Sequence, residues 1–235
     1  MTERSHTFER WWNVRDLGGL PRRDGDTTRR GVLVRAASPS FATRDDIAHG
    51  RQLGFETFVD LRMPDHGPDW RETAPGVVTV NVDLVGSLSR PADIAADDVL
   101  PVLLEGAREQ VAAAVREITR LAQTSPPVVF HCHTGKDRTG LISLLMLSLA
   151  SVPDDAIVED YLASNPGFEE MRETLIADLG TDFMPGAPAS VRGPVPRAGA
   201  EKALQALAAA GGAAAYLESG GLTPEKIDDA AGLLR

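Results

Sequence analysis

The 235-residue sequence contains a single cysteine, Cys132. One thiol cannot form a disulfide within the chain, and it cannot supply a zinc or iron–sulfur site that needs several thiolates. We therefore expect no metal and no cofactor. A lone thiol is also typical of a protein from a reducing compartment.

Basic side chains are scarce, because 24 Lys and Arg residues stand against 34 Asp and Glu residues, for a net charge of -10. Proteins that bind nucleic acid without sequence preference neutralise its phosphates with basic patches. The charge balance therefore predicts no nucleic-acid partner, although one local anion pocket remains compatible with it.

Long hydrophobic runs are missing too. The most apolar stretch, 141–150, is far shorter than the roughly 20 residues that span a bilayer. Residues 1–10 are polar and charged and do not resemble a signal peptide. The sequence therefore predicts no integral membrane association and a cytoplasmic location, and export without a signal peptide stays compatible with it.

The composition is typical of a globular protein, with 43% hydrophobic and 25% charged residues, and the length fits a single domain over 1–235. Short apolar or alternating runs predict strands at 31–35, 56–61, 77–82 and 128–131. Helical spacing predicts helices at 40–54 (with Thr43 as N-cap and Gly54 as the stop), 99–123, 139–150, 154–164, 167–179, 198–210 and 224–234.

This alternation of strands and helices predicts an α/β fold with a central, mainly parallel sheet flanked by helices. Beyond Pro153 the pattern is wholly helical, so 154–210 is a candidate for a helical lid or insert. Four prolines within 184–196 predict a loop or hinge there.

The most informative segment is 131–140, HCHTGKDRTG, between a predicted buried strand and a predicted buried helix. The first amides of a helix lack intrahelical partners and its dipole favours negative charge there, which suits phosphate binding. Arg138 adds a planar, permanently charged group that matches two phosphate oxygens. The same field stabilises a thiolate at Cys132. The pattern therefore predicts phosphoryl-transfer chemistry, with a nucleophile at the floor of an anion pocket.

Cys132 and Arg138 are spaced as C-x5-R, with Gly135 between them and Thr139 directly after. This segment resembles the H-C-x2-G-x2-R-[ST] motif of the cysteine-dependent protein tyrosine and dual-specificity phosphatases. The GKDRTG stretch is similar to a bacterial branch of that family, which includes a secreted mycobacterial phosphatase. The NVRDLGG stretch, the VDLR stretch and the final helical region also resemble this branch; the two stretches lie at 13–19 and 59–62.

The resemblance implies a protein-tyrosine-phosphatase-like fold and a two-step mechanism. Cys132 would attack phosphorus to form a phosphocysteine, and water would then hydrolyse it. Arg138 and the loop amides would hold the phosphate oxygens, Thr139 would hydrogen-bond the thiolate, and His131 would orient the loop. The implied substrate-binding residues are consecutive: His133, Thr134, Gly135, Lys136, Asp137 and Arg138. Lys136 and Asp137 resemble rim positions linked to phosphoinositide and phosphotyrosine handling.

The general acid that protonates the leaving oxygen stays open at this stage. Asp60 matches the family's acidic-loop position, whereas Asp137 lies in the phosphate-binding segment, and we weigh the two evenly. Asp65 is the third candidate, with Asp69 nearby. The acid must reach the leaving oxygen, so geometry decides the choice before the pKa does.

The expected substrate is a phosphorylated protein carrying phosphotyrosine, with phosphoserine, phosphothreonine and phosphoinositide as further candidates. The main alternative is a small-molecule phosphatase that acts on a sugar or nucleotide phosphate, which the acidic balance slightly favours. A phosphate-binding adaptor without catalysis is less favoured, because Cys132, Arg138 and Thr139 are intact. Rhodanese-like sulfur transfer is less favoured because of the Arg138-Thr139 pair.

Two local patterns have simpler interpretations. The Gly-Lys pair does not form an ATP-binding P-loop, because Phe130 and Asp137 occupy the positions that need glycine and a hydroxyl residue. The adjacent Arg15 and Asp16 are interpreted either as a surface ion pair of little energetic weight or as functional residues.

Overall fold

A computed structural model describes residues 4–64, 70–72, 74–86, 94–179 and 189–235. In this part of the chain the strands form one sheet in the order β1-β2-β5-β3-β4. They are β1 (Arg15–Asp16), β2 (Leu33–Ala36), β3 (Thr57–Asp60), β4 (Val78–Asn81) and β5 (Val128–His131). Strand β1 is antiparallel to β2, and the other neighbours are parallel. The predicted central, mainly parallel sheet is confirmed.

Helices account for most of the remaining described chain. The α-helices are α1 (Arg44–Gln52), α2 (Val99–Gly106), α3 (Arg108–Ala122), α4 (Asp137–Leu149), α5 (Asp154–Leu162), α6 (Ser164–Leu179), α7 (Arg197–Ala209), α8 (Gly212–Ser219) and α9 (Pro224–Leu233). Short 3-10 turns lie at Pro39–Phe41, Trp70–Glu72, Ala96–Asp98 and Ala189–Val191. No helix of the described residues is long and apolar enough to cross a membrane.

Strand β5 lies at the centre of the sheet and is buried on both faces. Val128 and Phe130 pack in the main hydrophobic core, which the helices α2 to α5 and α7 to α9 share. Val129 points the other way, into a second cluster with Trp11 and Phe58. Successive side chains of a strand alternate between faces, so a continuous apolar run is what a doubly covered strand requires.

Helix α4 follows β5 directly and is the central helix of the main core. Its residues from Thr139 to Leu149 are buried, apart from Ser148. A helix that is apolar on every side can satisfy this only in the interior of a protein. The predicted central buried helix is therefore confirmed, and it holds the preceding loop against the sheet.

Helix α1 is shorter than the predicted helix over 40–54, but the predicted cap Thr43 and the predicted stop Gly54 flank it. Thr43 caps it, with its hydroxyl accepting from the Asp46 amide while the Asp46 carboxylate accepts from the Thr43 amide. This reciprocal pair satisfies two amides that the first turn leaves unbonded. Gly54 follows the last turn with φ +83°, a conformation that glycine adopts at little cost.

The structure differs from the predicted elements in three places. The helix predicted over 99–123 is two helices, because Ala107 leaves the helical region at φ -116° and ψ 26° and separates α2 from α3. Strand β1 lies in a segment expected to be irregular, where two residues carry too little pattern to signal a strand. Helix α8 was not expected between the two C-terminal helices, because its eight residues lie between glycines.

The segment 154–210, the predicted lid or insert, contains α5, α6 and α7. Ile157 and Tyr161 of α5 pack in the main core, as do Ala203 and Leu207 of α7. The lid and the single domain over 1–235 stay predictions. Of the predicted hinge, residues 184–188 lie outside the described residues.

The four parallel strands end at the same edge of the sheet. Ala36, His131 and Asp60 are in register on β2, β5 and β3, and Asn81 on β4 pairs with Asp60. Ligand sites of α/β sheets lie beyond the carboxyl ends of the strands. The loop that leaves β5 at His131 therefore begins where the fold favours a binding site.

Candidate active site

The segment 132–136, here called the cysteine loop, connects β5 to the first turn of α4. It lies between the segment that follows β2 and the segment that follows β3, because β5 is paired with both strands. Cys132 is 1% exposed. The loop therefore surrounds a buried sulfur at the amino end of a buried helix, where the helix dipole favours negative charge.

The carbonyl groups of the cysteine loop are bound from outside it. The Ser38 amide donates to the His133 oxygen at 3.0 Å. The Asn13 side-chain amide donates to the oxygens of Thr134 at 3.1 Å and Gly135 at 3.0 Å. Arg35 Nη2 also donates to the Gly135 oxygen, at 2.9 Å.

These contacts set the direction of the loop amides. In a planar trans peptide the N–H group points opposite to the carbonyl of the preceding residue. With three successive carbonyls held outward, the amides of Thr134, Gly135 and Lys136 point into the loop. Among the described residues they have no acceptor. A concave set of free amides at a helix start is a binding site for an anion.

Gly135 is required where the loop passes closest to β2. Its φ is +71°, in the left-handed region. A Cβ atom there would lie 2.6 Å from the Ala36 carbonyl oxygen and 2.7 Å from the Ala37 nitrogen. Because both neighbours are backbone atoms, they cannot move aside as a side chain would, and only glycine fits.

Arg138 and Thr139 occupy the first turn of α4. Arg138 Nη1 lies 3.5 Å from the Leu61 carbonyl oxygen, so its guanidinium bridges from α4 towards the segment after β3. The Thr139 hydroxyl is buried and has no hydrogen-bond partner among the described residues. The predicted bond from this hydroxyl to the Cys132 sulfur therefore stays a prediction.

His131 is buried and lies directly before the nucleophile. Its Nδ1 is 3.2 Å from the Cys132 carbonyl oxygen, which can only accept, so Nδ1 carries the proton. Burial lowers the pKa of His131 to about 4, against the opposing effect of Asp60, so the ring is neutral near pH 7. This contact supports the predicted loop-orienting role. His133 instead lies edge-on to Phe41, with ring centroids 5.2 Å apart.

Asp60 ends β3, and its carboxylate is held by Arg62. Arg62 Nη2 donates to Oδ2 at 2.8 Å, and its Nε donates to Oδ1 at 3.0 Å. Burial favours the neutral acid, but the charge of His131 and then the hydrogen bonds and charge of Arg62 outweigh it and hold the pKa of Asp60 below its ordinary value. Near pH 7, where His131 is neutral, the Asp60 carboxylate keeps its hydrogen bonds from Arg62. Asp60 is therefore an ionised partner of Arg62.

Asp137 is the first residue of α4 and is partly buried. Its carboxylate faces the Tyr161 hydroxyl: burial, and then the charge of Asp137, raise the pKa of Tyr161 well above its ordinary value. Asp137 directly follows the cysteine loop in sequence, and among the described residues no arginine forms an ion pair with it. The third candidate acid, Asp65, and its neighbour Asp69 lie outside the described residues.

Lys136 closes the cysteine loop, but its ammonium is directed to another segment. The side chain is 1% exposed, and Nζ donates to the carbonyl oxygens of Val191, at 3.2 Å, and Gly193. It also lies 3.8 Å from the ring centroid of Phe168. Burial lowers the pKa of Lys136, against the nearby acidic groups. In this arrangement Lys136 contributes its amide to the loop, and substrate contact by its ammonium stays a prediction.

The described residues hold no group of three or more His, Cys, Asp or Glu side chains that could bind a metal ion. The cysteine loop holds a buried thiol and free amides, and the first turn of α4 adds the Arg138 guanidinium. Groups of these kinds together fit a tetrahedral anion. The family model for the tyrosine phosphatase family matches residues 6–234. The chain belongs to the tyrosine phosphatase family.

Two individual proteins and one solved structure are similar to parts of this chain. A protein of Cupriavidus necator that carries the name tyrosine-protein phosphatase is 31% identical over 188 residues, 73% of this chain and 67% of that protein. The triple specificity protein phosphatase PtpB of Mycobacterium tuberculosis is 39% identical over 59 residues, 25% of this chain and 21% of PtpB. The crystal structure of P. aeruginosa TpbA aligns with a TM-score of 0.40 at 21% identity, over 64% of this chain and 81% of TpbA.

As a member of the tyrosine phosphatase family, the protein is a phosphoric monoester hydrolase of the protein-tyrosine-phosphatase type. The family predicted from the C-x5-R segment is confirmed.

The structure also brings together, behind the loop, residues that the sequence did not single out. Arg35 and Asp160 carried no assignment, and Asn13 was noted only as part of a motif. The available signal for Arg35 was its place at the end of the apolar predicted strand 31–35, because a charge that such a strand buries needs a partner. Arg15 and Asp16 are buried, at 3% and 8% exposure, so the surface ion-pair interpretation is wrong.

Proposed function

We propose that the protein hydrolyses phosphotyrosine through a phosphocysteine intermediate on Cys132. The observation that carries this proposal is the set of three inward, unbonded amides around the only thiol in the chain. Free amides at fixed positions stabilise the equatorial oxygens of a transferring phosphoryl group without reorganising during the reaction. The name of the family and of the Cupriavidus necator relative support tyrosine as the phosphorylated residue.

In the first step the Cys132 thiolate attacks phosphorus in line with the ester oxygen. The S–P bond forms as the P–O bond breaks, and the leaving tyrosine oxygen takes a proton from a carboxylic acid. In the second step water attacks phosphorus, gives its proton to the resulting carboxylate, and the S–P bond breaks. Arg138 and the loop amides hold the nonbridging oxygens throughout, and Thr139 stabilises the departing thiolate.

We propose Asp137 as the general acid. A general acid must carry its proton before the leaving group departs, and the Asp60 carboxylate is held ionised by Arg62. Asp137 begins α4 directly after the cysteine loop and has no such partner among the described residues. Asp60, held by Arg62, then anchors the segment after β3.

Asp137→Asn is expected to lower turnover of phenyl phosphate roughly a hundredfold or more, since a poor leaving group needs the proton. Turnover of a phosphate ester with a strongly acidic phenol should fall much less, since that leaving group departs as an anion. Asp60→Asn is the matched variant and should show no such dependence on the leaving group. If the dependence appears in Asp60→Asn and not in Asp137→Asn, the acid is Asp60.

The substrate class is tested with a panel of monoesters. We expect kcat/KM for a phosphotyrosine peptide to exceed that for phosphoserine peptides, phosphoinositides, and sugar or nucleotide phosphates by roughly tenfold or more. A preference of that size for a sugar or nucleotide phosphate would contradict the protein-phosphatase assignment and favour a metabolic phosphatase. The cytoplasm keeps a free thiol reduced, so the predicted cytoplasmic location suits this chemistry.

A further inference from the structure

Asn13 contacts the cysteine loop from the side away from its free amides. The residue has φ +60°, a left-handed conformation that asparagine adopts more readily than most residues. Its Nδ2 donates to the carbonyl oxygens of Thr134 and Gly135, and its Oδ1 accepts from Arg15 Nη1. Both polar atoms of this side chain are therefore used, and its position is set by Arg15.

Arg35 contacts the same peptide group from the sheet. The side chain is fully buried on β2, and its Nη2 donates to the Gly135 oxygen and to Ser164 Oγ at 3.1 Å. Its Nη1 donates to Asp160 Oδ2 at 2.7 Å. The guanidinium therefore connects the loop to α5 and to the start of α6.

Asp160 fixes the guanidinium groups in place. Besides Arg35, its carboxylate accepts from Arg15 Nε at 3.2 Å and from Arg4 Nη1 at 3.1 Å. Burial opposes ionisation, but the charges of Arg15, Arg35 and Arg4 outweigh it and lower the pKa of Asp160. Burial and the neighbouring Arg35 lower the pKa of Arg15 to about 9, so its guanidinium remains protonated near pH 7.

This cluster holds more positive than negative charge. Three guanidinium groups meet one carboxylate, and a buried excess of charge is costly unless an opposite charge lies close by. The Gly135 carbonyl takes up part of the excess, and its peptide presents the Lys136 amide to the interior of the loop. A phosphate anion bound there would complete the charge balance.

We propose that Asn13 and Arg35 are positioning residues, a backside clamp that holds two loop carbonyls outward so that the amides aim at the phosphoryl group. Arg15 and Asp160 hold the clamp. The inference rests on the proposed function, which makes the loop the phosphate site. It assigns a role to a motif at 13–19 that lies more than a hundred residues from Cys132 in sequence.

Asn13→Gly tests the clamp directly. Glycine accepts the left-handed backbone but removes the amide that holds both carbonyls. Asn165→Ala is the matched control, because the Asn165 side-chain amide also bonds backbone groups. Its Nδ2 donates to the Val195 carbonyl oxygen at 3.1 Å, and its Oδ1 accepts from the Val195 amide at 2.7 Å. A third variant, Arg35→Lys, keeps the positive charge but lacks the planar guanidinium, which donates to Gly135 and Asp160 at the same time.

The probes are orthovanadate and inorganic phosphate, with affinities measured by calorimetry, together with p-nitrophenyl phosphate turnover and the melting temperature. Vanadate adopts the five-coordinate geometry of the transition state, so misdirected amides should weaken the binding of vanadate more than the binding of phosphate. We expect Asn13→Gly and Arg35→Lys to bind vanadate roughly ten- to a hundredfold more weakly than the wild-type protein. Their affinity for phosphate should fall less than their affinity for vanadate. In turnover, kcat should fall while KM stays unchanged. Asn165→Ala should lower the melting temperature alone.

The inference is overturned if folded Asn13→Gly keeps wild-type vanadate affinity and kcat, even with a lower melting temperature. It is also overturned if the affinities for vanadate and phosphate fall equally, or if Asn165→Ala lowers the affinity for vanadate as much as Asn13→Gly does. Anion binding is measured without turnover, so it tests the clamp independently of the proposed phosphatase activity. If the wild-type protein hydrolyses no monoester but the clamp variants still bind vanadate more weakly, the proposed function is wrong and the clamp is supported.

Discussion

A Cys132→Ser variant is expected to hydrolyse p-nitrophenyl phosphate roughly ten-thousand-fold more slowly than the wild-type protein, or not measurably. A serine hydroxyl is not ionised near neutral pH, so it cannot attack phosphorus as the thiolate does. The sequence has no second cysteine to replace it. The substitution changes one buried atom for a smaller one, so the fold and the loop amides should persist.

Binding separates chemistry from recognition in this variant. Inorganic phosphate should bind Cys132→Ser within about threefold of the wild-type affinity, because Arg138 and the amides are intact. Turnover within tenfold of wild type would show that Cys132 is not the nucleophile. A wild-type protein that binds phosphate tightly but turns over no monoester would instead support the adaptor alternative.

Gly135→Ala is expected to lower kcat/KM roughly a hundredfold and to destabilise the fold by about 2–4 kcal/mol. A left-handed backbone costs a non-glycine residue about 1–2 kcal/mol. The new Cβ atom would also lie 2.6 Å from the Ala36 oxygen, so the loop must shift away from β2. Any shift moves the Thr134 and Gly135 carbonyls from Asn13 and turns the amides away from the phosphate.

Gly31→Ala is the control that isolates the close approach from the backbone conformation. Gly31 has the same φ of +71°, but a Cβ atom there meets no atom within 4 Å. Gly31→Ala should therefore lower the free energy of unfolding by only about 1–2 kcal/mol and leave kcat/KM unchanged. Wild-type activity in Gly135→Ala, or an equal loss of activity in Gly31→Ala, would contradict the steric explanation. Chemical denaturation and p-nitrophenyl phosphate kinetics measure both effects.

The regular elements were predictable where one local pattern decides them. The run of apolar residues in α4 can be buried only as a central helix, and the Thr43–Asp46 capping pair marks the start of α1 within four residues. The break at Ala107 was not predictable, because the apolar spacing continues through it and the break depends on how α2 and α3 pack. Strand β1 exists only because Arg15 and Asp16 pair with β2.

The candidate site divides in the same way. Cys132, Gly135, Arg138 and Thr139 lie within eight residues, so their spacing alone carries the chemistry. The choice between Asp60 and Asp137 could not be made from spacing, since it depends on Arg62 folding back onto Asp60. Lys136 was expected at the substrate, but its contacts with Val191 and Phe168 come from chain segments distant in sequence.

From the order of its residues alone, the chain specifies a parallel sheet, a buried helix behind it, and a cysteine and an arginine around a turn between them. These features depend on neighbours in sequence, whose spacing is set by backbone geometry. Tertiary contacts decide that Arg62 binds the Asp60 carboxylate and how the loop amides are directed. Asn13 and Arg35 reach the loop from segments distant in sequence, and Asp160 on α5 holds Arg35. Burial forces these polar groups to pair because water is excluded.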